Sequence, residues 1–63
     1  MEVSENERSI LFHLANGKAS KEIARDTSLS KATVDLRIRI LCAKLGAKSR
    51  AQLVANAIQS GLL

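Results

Sequence analysis

The sequence predicts a compact all-α domain, a four-helix bundle-like arrangement, and three observations predict it. There is no proline and Phe12 is the only aromatic residue, so a sheet would lack its usual packing and turn residues and any core must be aliphatic. Apolar side chains recur at helical rather than alternating spacing. Each recurring run opens near a serine suited to capping and closes at a glycine or a short polar turn. With 63 residues, the chain has room for one domain, 1–63, and for no second.

The first helix is expected over about 5–15. Ser4-Glu5-Asn6-Glu7 forms a capping box, Ile10, Leu11 and Leu14 share one face, and Gly17 supplies the left-handed stop. Phe12 falls on the outer side of this helix, and His13 at the margin of its apolar face. The second helix is expected near 20–27, starting late from Ser20 as its cap, with Ile23 and Ala24 inward. Thr27-Ser28-Leu29-Ser30 reads as a tight turn. Ser30 caps the third helix, about 31–45, whose stripe of Val34, Ile38, Leu41 and Leu45 runs over three turns to a stop at Gly46. Ser49-Arg50-Ala51-Gln52 is a second box of the S-x-x-Q kind. It opens a fourth helix with Leu53, Val54, Ala57 and Ile58 inward and Gly61 as the stop.

Charge is unevenly distributed. Residues 1–30 carry four basic groups against five acidic ones, whereas residues 31–63 carry six basic groups (Lys31, Arg37, Arg39, Lys44, Lys48, Arg50) against Asp35 alone. Such a concentrated positive field suits an anionic partner, nucleic acid first. A single cysteine, Cys42, excludes an internal disulfide and fits a reducing cytoplasm. No apolar run approaches the roughly 20 residues that a bilayer span needs, and no signal peptide opens the chain. No membrane role is expected.

Nothing in the sequence assembles a catalytic centre. One His and one Cys cannot supply a metal site, and His13 and Cys42 read as half-buried helix residues. Glu5 and Glu7 stand two apart on a helix and point away from each other. The chain is therefore expected to be no enzyme and to need no cofactor.

What remains is a helix, a three- or four-residue turn and a second helix that carries Lys31, Asp35, Leu36 and Arg39 away from the core. That is the layout of a helix-turn-helix, in which the start of the second helix enters the major groove of DNA. Leu36 could receive a thymine methyl there. Ile40, also outward, reads equally well as an ordinary exposed aliphatic.

Four fragments carry a family resemblance over essentially the whole chain. They are Gly17-Lys18-Ala19-Ser20-Lys21-Glu22-Ile23-Ala24, Leu29-Ser30 followed by Thr33-Val34, Lys44-Leu45-Gly46-Ala47 followed by Arg50, and Ala57-Ile58 followed by Gly61-Leu62-Leu63. In this order and spacing they resemble the DNA-binding domain of LuxR/FixJ-type bacterial transcription regulators. Gly17-Lys18 and Arg50-Ala51-Gln52 look closest to the quorum-sensing branch. The resemblance implies a four-helix domain whose third helix reads the major groove and whose fourth often forms the dimer face. Position by position, it implies base or phosphate contacts from Asp35, Leu36, Arg37 and Arg39, with Lys31, Thr33, Lys44 and Arg50 near phosphates.

The departures from the family pattern bear on specificity. Asp35 stands where Lys is common, Arg37 where His is usual, Ile40 where a polar residue is usual, and Ala43 where Arg or Lys is frequent. Ala19 takes the place of the capping Ser of the second helix, which removes the box with Glu22. Thr27 and Ser28 replace a usual Leu and a usual Gly or Asn in the turn.

The function read from the sequence is sequence-specific binding of double-stranded DNA as a homodimer. Gln52, Ala55, Asn56 and Gln59 on the fourth helix form the dimer face, and a regulatory domain or partner protein is accommodated near Phe12. The alternative is a small helical protein-interaction module that modulates a regulator through Phe12 and the fourth helix. A membrane-surface binder is disfavoured, because the apolar residues of all four helices are needed for the core.

Overall fold

A computed structural model describes residues 3–63, in four helices: α1 (Glu5–Ala15), α2 (Ser20–Thr27), α3 (Lys31–Leu45) and α4 (Arg50–Gln59). The described residues contain no strand. α1 packs on each of the other three helices, α2 also packs on α3, and α4 also packs on α3, while α2 and α4 do not meet. The core is aliphatic and complete at the centre, with Ile10, Leu11, Ile23, Val34, Leu41, Leu53 and Ala57 fully buried and Ile38 nearly so. Val3, Leu14, Leu29, Cys42, Leu45, Ala47 and Leu62 seal its edges.

The ends of the helices follow from local chemistry. The Ser4 hydroxyl accepts from the Glu7 amide at 3.2 Å and the Glu7 carboxylate accepts from the Ser4 amide at 3.0 Å, so the first box is complete. Gly17, Gly46 and Gly61 all take positive φ after their helices, the backbone that lets the chain turn back on the last carbonyls. Between α2 and α3 that conformation falls to Ser28, with φ 60°. Ser30 then caps α3 by accepting from the Thr33 amide at 3.1 Å.

Four expectations are corrected. Ser20 does not cap α2: Ala19 holds the cap position, and Ser20 is the buried first residue of the helix. Helix α2 does not start late, because half of the box survives, the Glu22 carboxylate accepting from the Ala19 amide at 3.0 Å. In the second box, Ser49 accepts from the Gln52 amide at 3.1 Å, but the Gln52 side chain turns to the Lys48 amide at 2.6 Å instead of the Ser49 amide. Ile58 is not inward; it is 57% exposed. Leu53 and Ala57 define the buried meridian of α4, and a residue about 100° past Ala57 on a helix with only one residue left is carried clear of the core. Val54, nearer that meridian, is half-buried.

Candidate nucleic-acid interface

Helix α3 is fixed along its inner stripe by Val34, Ile38 and Leu41, all buried, with Leu45 half-buried at the end. At about 100° per residue, the opposite ridge consists of Ala32, Leu36, Arg39, Ile40 and Ala43. All five are exposed, Leu36 at 48% and Ile40 at 37%. An unsupported pair of aliphatics on a ridge that also carries Arg39 offers both apolar contact and charge.

On one flank of the ridge, Lys31, Asp35 and Arg50 come together. The Asp35 carboxylate accepts from Lys31 Nζ at 2.8 Å through one oxygen and from the Arg50 guanidinium at 3.2 Å through the other. Lys31 is reached one turn along the same helix, and Arg50 is delivered by the first residue of α4. The Lys31 ammonium foremost, then the nearby Ser20 hydroxyl and Arg50, hold the Asp35 carboxyl down at about 2. The Ser20 oxygen is itself buried and does not reach hydrogen-bonding geometry with any partner among the described residues. Asp35 thus organises two cations rather than projecting alone from the helix.

On the other flank, Arg37 and Lys44 lie along one side of α3. Arg37 is half-buried and Lys44 is drawn toward α1, where its ammonium lies 3.1 Å from both Glu7 carboxylate oxygens. Glu7 is only 3% exposed, and its carboxyl is held below the ordinary range by the Ser4 amide foremost and by Lys44. Thr33 is half-buried beside the cap and accepts from the Ser30 hydroxyl at 2.9 Å. Lys48 adds a further exposed cation in the segment between α3 and α4.

The face of α4 away from the core centres on Ala55, with Gln52 and Gln59 on one side and Ile58 on the other; all four are exposed. Asn56 stands apart from them. It is half-buried, and its amide donates to the Leu45 carbonyl at 2.9 Å, tying α4 to the last turn of α3. Phe12 is outward as expected, 59% exposed, and with Ile58, Leu62 and Leu63 it lines an open groove of about 640 Å³ between α1 and the end of α4.

Sequence reasoning missed the Glu7–Lys44 pair and the Asp35 cluster. The first joins residues 37 positions apart and leaves no trace in any local window. The Lys31–Asp35 half of the second is visible as an i,i+4 pair, whereas Arg50 is supplied by the fold. No helix of the described residues is long and apolar enough to cross a membrane.

Residues 1–57 match the family described as bacterial regulatory proteins, luxR family. The chain is 40% identical over 62 residues to the transcriptional regulatory protein YdfI of Bacillus subtilis (strain 168), an alignment covering 98% of this chain and 29% of that protein. The fold is similar to the solved structure described as VqmA bound to DPO, with a TM-score of 0.88 and 34% identity over 98% of this chain and 31% of that one. The chain therefore spans less than a third of the length of both relatives. It belongs to the luxR family of bacterial regulatory proteins, a family of transcription regulators rather than of enzymes, and its four helices form a helix-turn-helix domain of that kind.

Proposed function

We propose that residues 1–63 act as one domain that binds double-stranded DNA sequence-specifically in the bacterial cytoplasm, with the start of α3 in the major groove. The observation that carries this reading is the exposed α3 ridge of Leu36, Arg39 and Ile40 with basic side chains on both flanks. Leu36 and Arg39 face base edges, Leu36 suited to a thymine methyl and Arg39 to guanine acceptors. Asp35 offers acceptors to a base amino group. Lys31, Thr33, Arg37 and Arg50 lie along the phosphates, with Lys44 held at the rim by Glu7.

Two copies pair on DNA through the outer face of α4, with Ala55 at the centre and Gln52 and Gln59 beside it. Asn56, half-buried and tied to the Leu45 carbonyl, stays off this face and fastens α4 to α3. A small polar face supports only weak association in isolation, so pairing occurs on inverted half-sites about one helical turn apart. The test is selection of bound duplexes from a random pool followed by a salt titration on the winners. A slope of log K against log[salt] of about −0.9 per phosphate contact is expected. A flat response would end the reading.

The Phe12 groove supports a second interaction alongside the first. Both relatives are about three times as long as the matched region, and we assign the groove to a further domain of the same regulator. Hydrogen exchange should then be slower around Phe12 and Ile58 in a full-length regulator than in this chain, and equal rates would refute the assignment. A quorum-sensing role for that whole regulator rests on the Gly17-Lys18 and Arg50-Ala51-Gln52 fragments.

A further inference from the structure

Two exposed cations, Lys31 opening α3 and Arg50 opening α4, are tied to one carboxylate. Lys31 Nζ sits 2.8 Å from one oxygen of Asp35 and the Arg50 guanidinium 3.2 Å from the other, and both basic side chains remain about half-exposed or more. A phosphate arriving at this flank meets a cluster whose net charge is one unit smaller than the two cations would give. It must also compete with Asp35 for the same donors.

We infer that Asp35 is a specificity-determining residue, a carboxylate that restrains Lys31 and Arg50 from indiscriminate phosphate binding and is compensated only where the sequence supplies a base amino group. The inference rests on the DNA-binding reading above. Its chemistry follows from the acceptor-only nature of a carboxylate. Two oxygens have room for about four hydrogen bonds, so Asp35 can keep its cations and still accept from a cytosine or adenine amino group in the major groove. Guanine and thymine edges at that position present acceptors, which the carboxylate repels. On arbitrary DNA the carboxylate is therefore a penalty in every register that puts guanine or thymine at that position, and on the preferred site the penalty is removed.

Replacement by an isosteric amide separates this role from a structural one. Asp35→Asn keeps the shape and some hydrogen bonding but removes the charge. Binding of the 63-residue chain should be measured by fluorescence anisotropy on one duplex selected from a random pool and on one scrambled duplex, across a salt series. Asp35→Asn should bind the scrambled duplex about five- to tenfold more tightly at low salt, and should steepen its salt slope by about 0.9 for each cation released. The selected duplex should gain less, so the ratio of the two affinities falls.

A coupling test covers the case in which Asp35→Asn perturbs the fold. Lys31→Met should weaken scrambled-duplex binding less than about twofold in the parent chain but about fivefold in the Asp35→Asn background, since only there is the ammonium free for a phosphate. Unchanged or weakened scrambled-duplex binding in Asp35→Asn, or additive effects of the two substitutions, would overturn the inference while leaving DNA binding intact. Salt-independent binding by the parent chain would overturn the DNA reading and this inference together.

Discussion

Lys44 near the end of α3 places its ammonium 3.1 Å from both carboxylate oxygens of Glu7 in the first turn of α1, and the carboxylate is only 3% exposed. The same carboxylate closes the cap of α1 through the Ser4 amide. One side chain thus secures the start of one helix and the end of another. Lys44→Met removes the countercharge while the Ser4 amide keeps donating, so the loss should be about 1–2 kcal/mol, softened because the Lys44 side chain is itself 36% exposed. Thermal melts followed by far-UV circular dichroism should show a midpoint lower by roughly 5–15 °C. No change would mean that water replaces the ammonium at no cost.

Carboxylates with lowered pKa make the fold sensitive to acid. Asp35 is drawn down from 3.8 to about 2, Lys31 foremost among the causes, and Glu7 and Asp26 are also lowered, by the Ser4 amide and by Lys18 respectively. Each binds its proton more tightly in the unfolded chain, so its stabilisation is full above the unfolded value and disappears as pH falls through the folded one. The melting midpoint should drop steadily between about pH 5 and 2, and less steeply in Glu7→Gln. A midpoint indifferent to pH over that interval would contradict the ion pairs.

Leu41 is fully buried at the centre of the α3 stripe. Leu41→Ala should cost about 2–5 kcal/mol, comparable with the whole stability expected of so small a domain. Urea titration of the two proteins measures the difference. A change below about 1 kcal/mol would show that neighbouring side chains collapse into the space.

On the selected duplex and its variants away from the base pair that meets Asp35, Arg50→Ala should lower affinity by one common factor, because a phosphate contact carries no sequence information. Arg39→Ala and Leu36→Ala should also relax preference at one or two base pairs, each by about 1–3 kcal/mol of discrimination. Competition between the selected duplex and its single-base variants provides the readout. Sequence-blind losses in all three variants would place α3 outside the groove.

Ala55 is the exposed centre of the outer face of α4. Ala55→Arg should leave the monomer folded, yet reduce binding to a double site far more than to a single half-site, since only the former needs two copies side by side. Equal losses on both would exclude α4 as the pairing face.

The helix boundaries were legible because each is set locally. Ser4, Ser30 and Ser49 accept from amides three residues on, and the glycines after α1, α3 and α4 reverse the chain without a Cβ penalty. The α3 stripe was legible for the same reason, since periodicity alone assigns its faces. What periodicity cannot reveal is the size of the surface that covers a helix. Ile58 fits the apolar pattern of α4, yet only Leu53 and Ala57 on that helix are fully buried, and Ile58 lines an open groove instead. Ser20 looked like a cap because serines cap helices, but the missing hydroxyl at Ala19 is offset by Glu22, and the chain keeps its register. The candidate interface was legible as a set of outward residues, while the partition of its cations depended on Glu7 and Asp35 meeting partners from other helices.

Helix α4 is mounted on α3 at two points, through Arg50 on Asp35 at one end and through the Asn56 amide on the Leu45 carbonyl toward the other, and it has no contact with α2. Two such fastenings along a shared length fix the position of α4 relative to α3, and α1 packs against both. A substitution that loosens either fastening is therefore expected to alter how the exposed ridge of α3 is presented, although neither Arg50 nor Asn56 lies on that ridge.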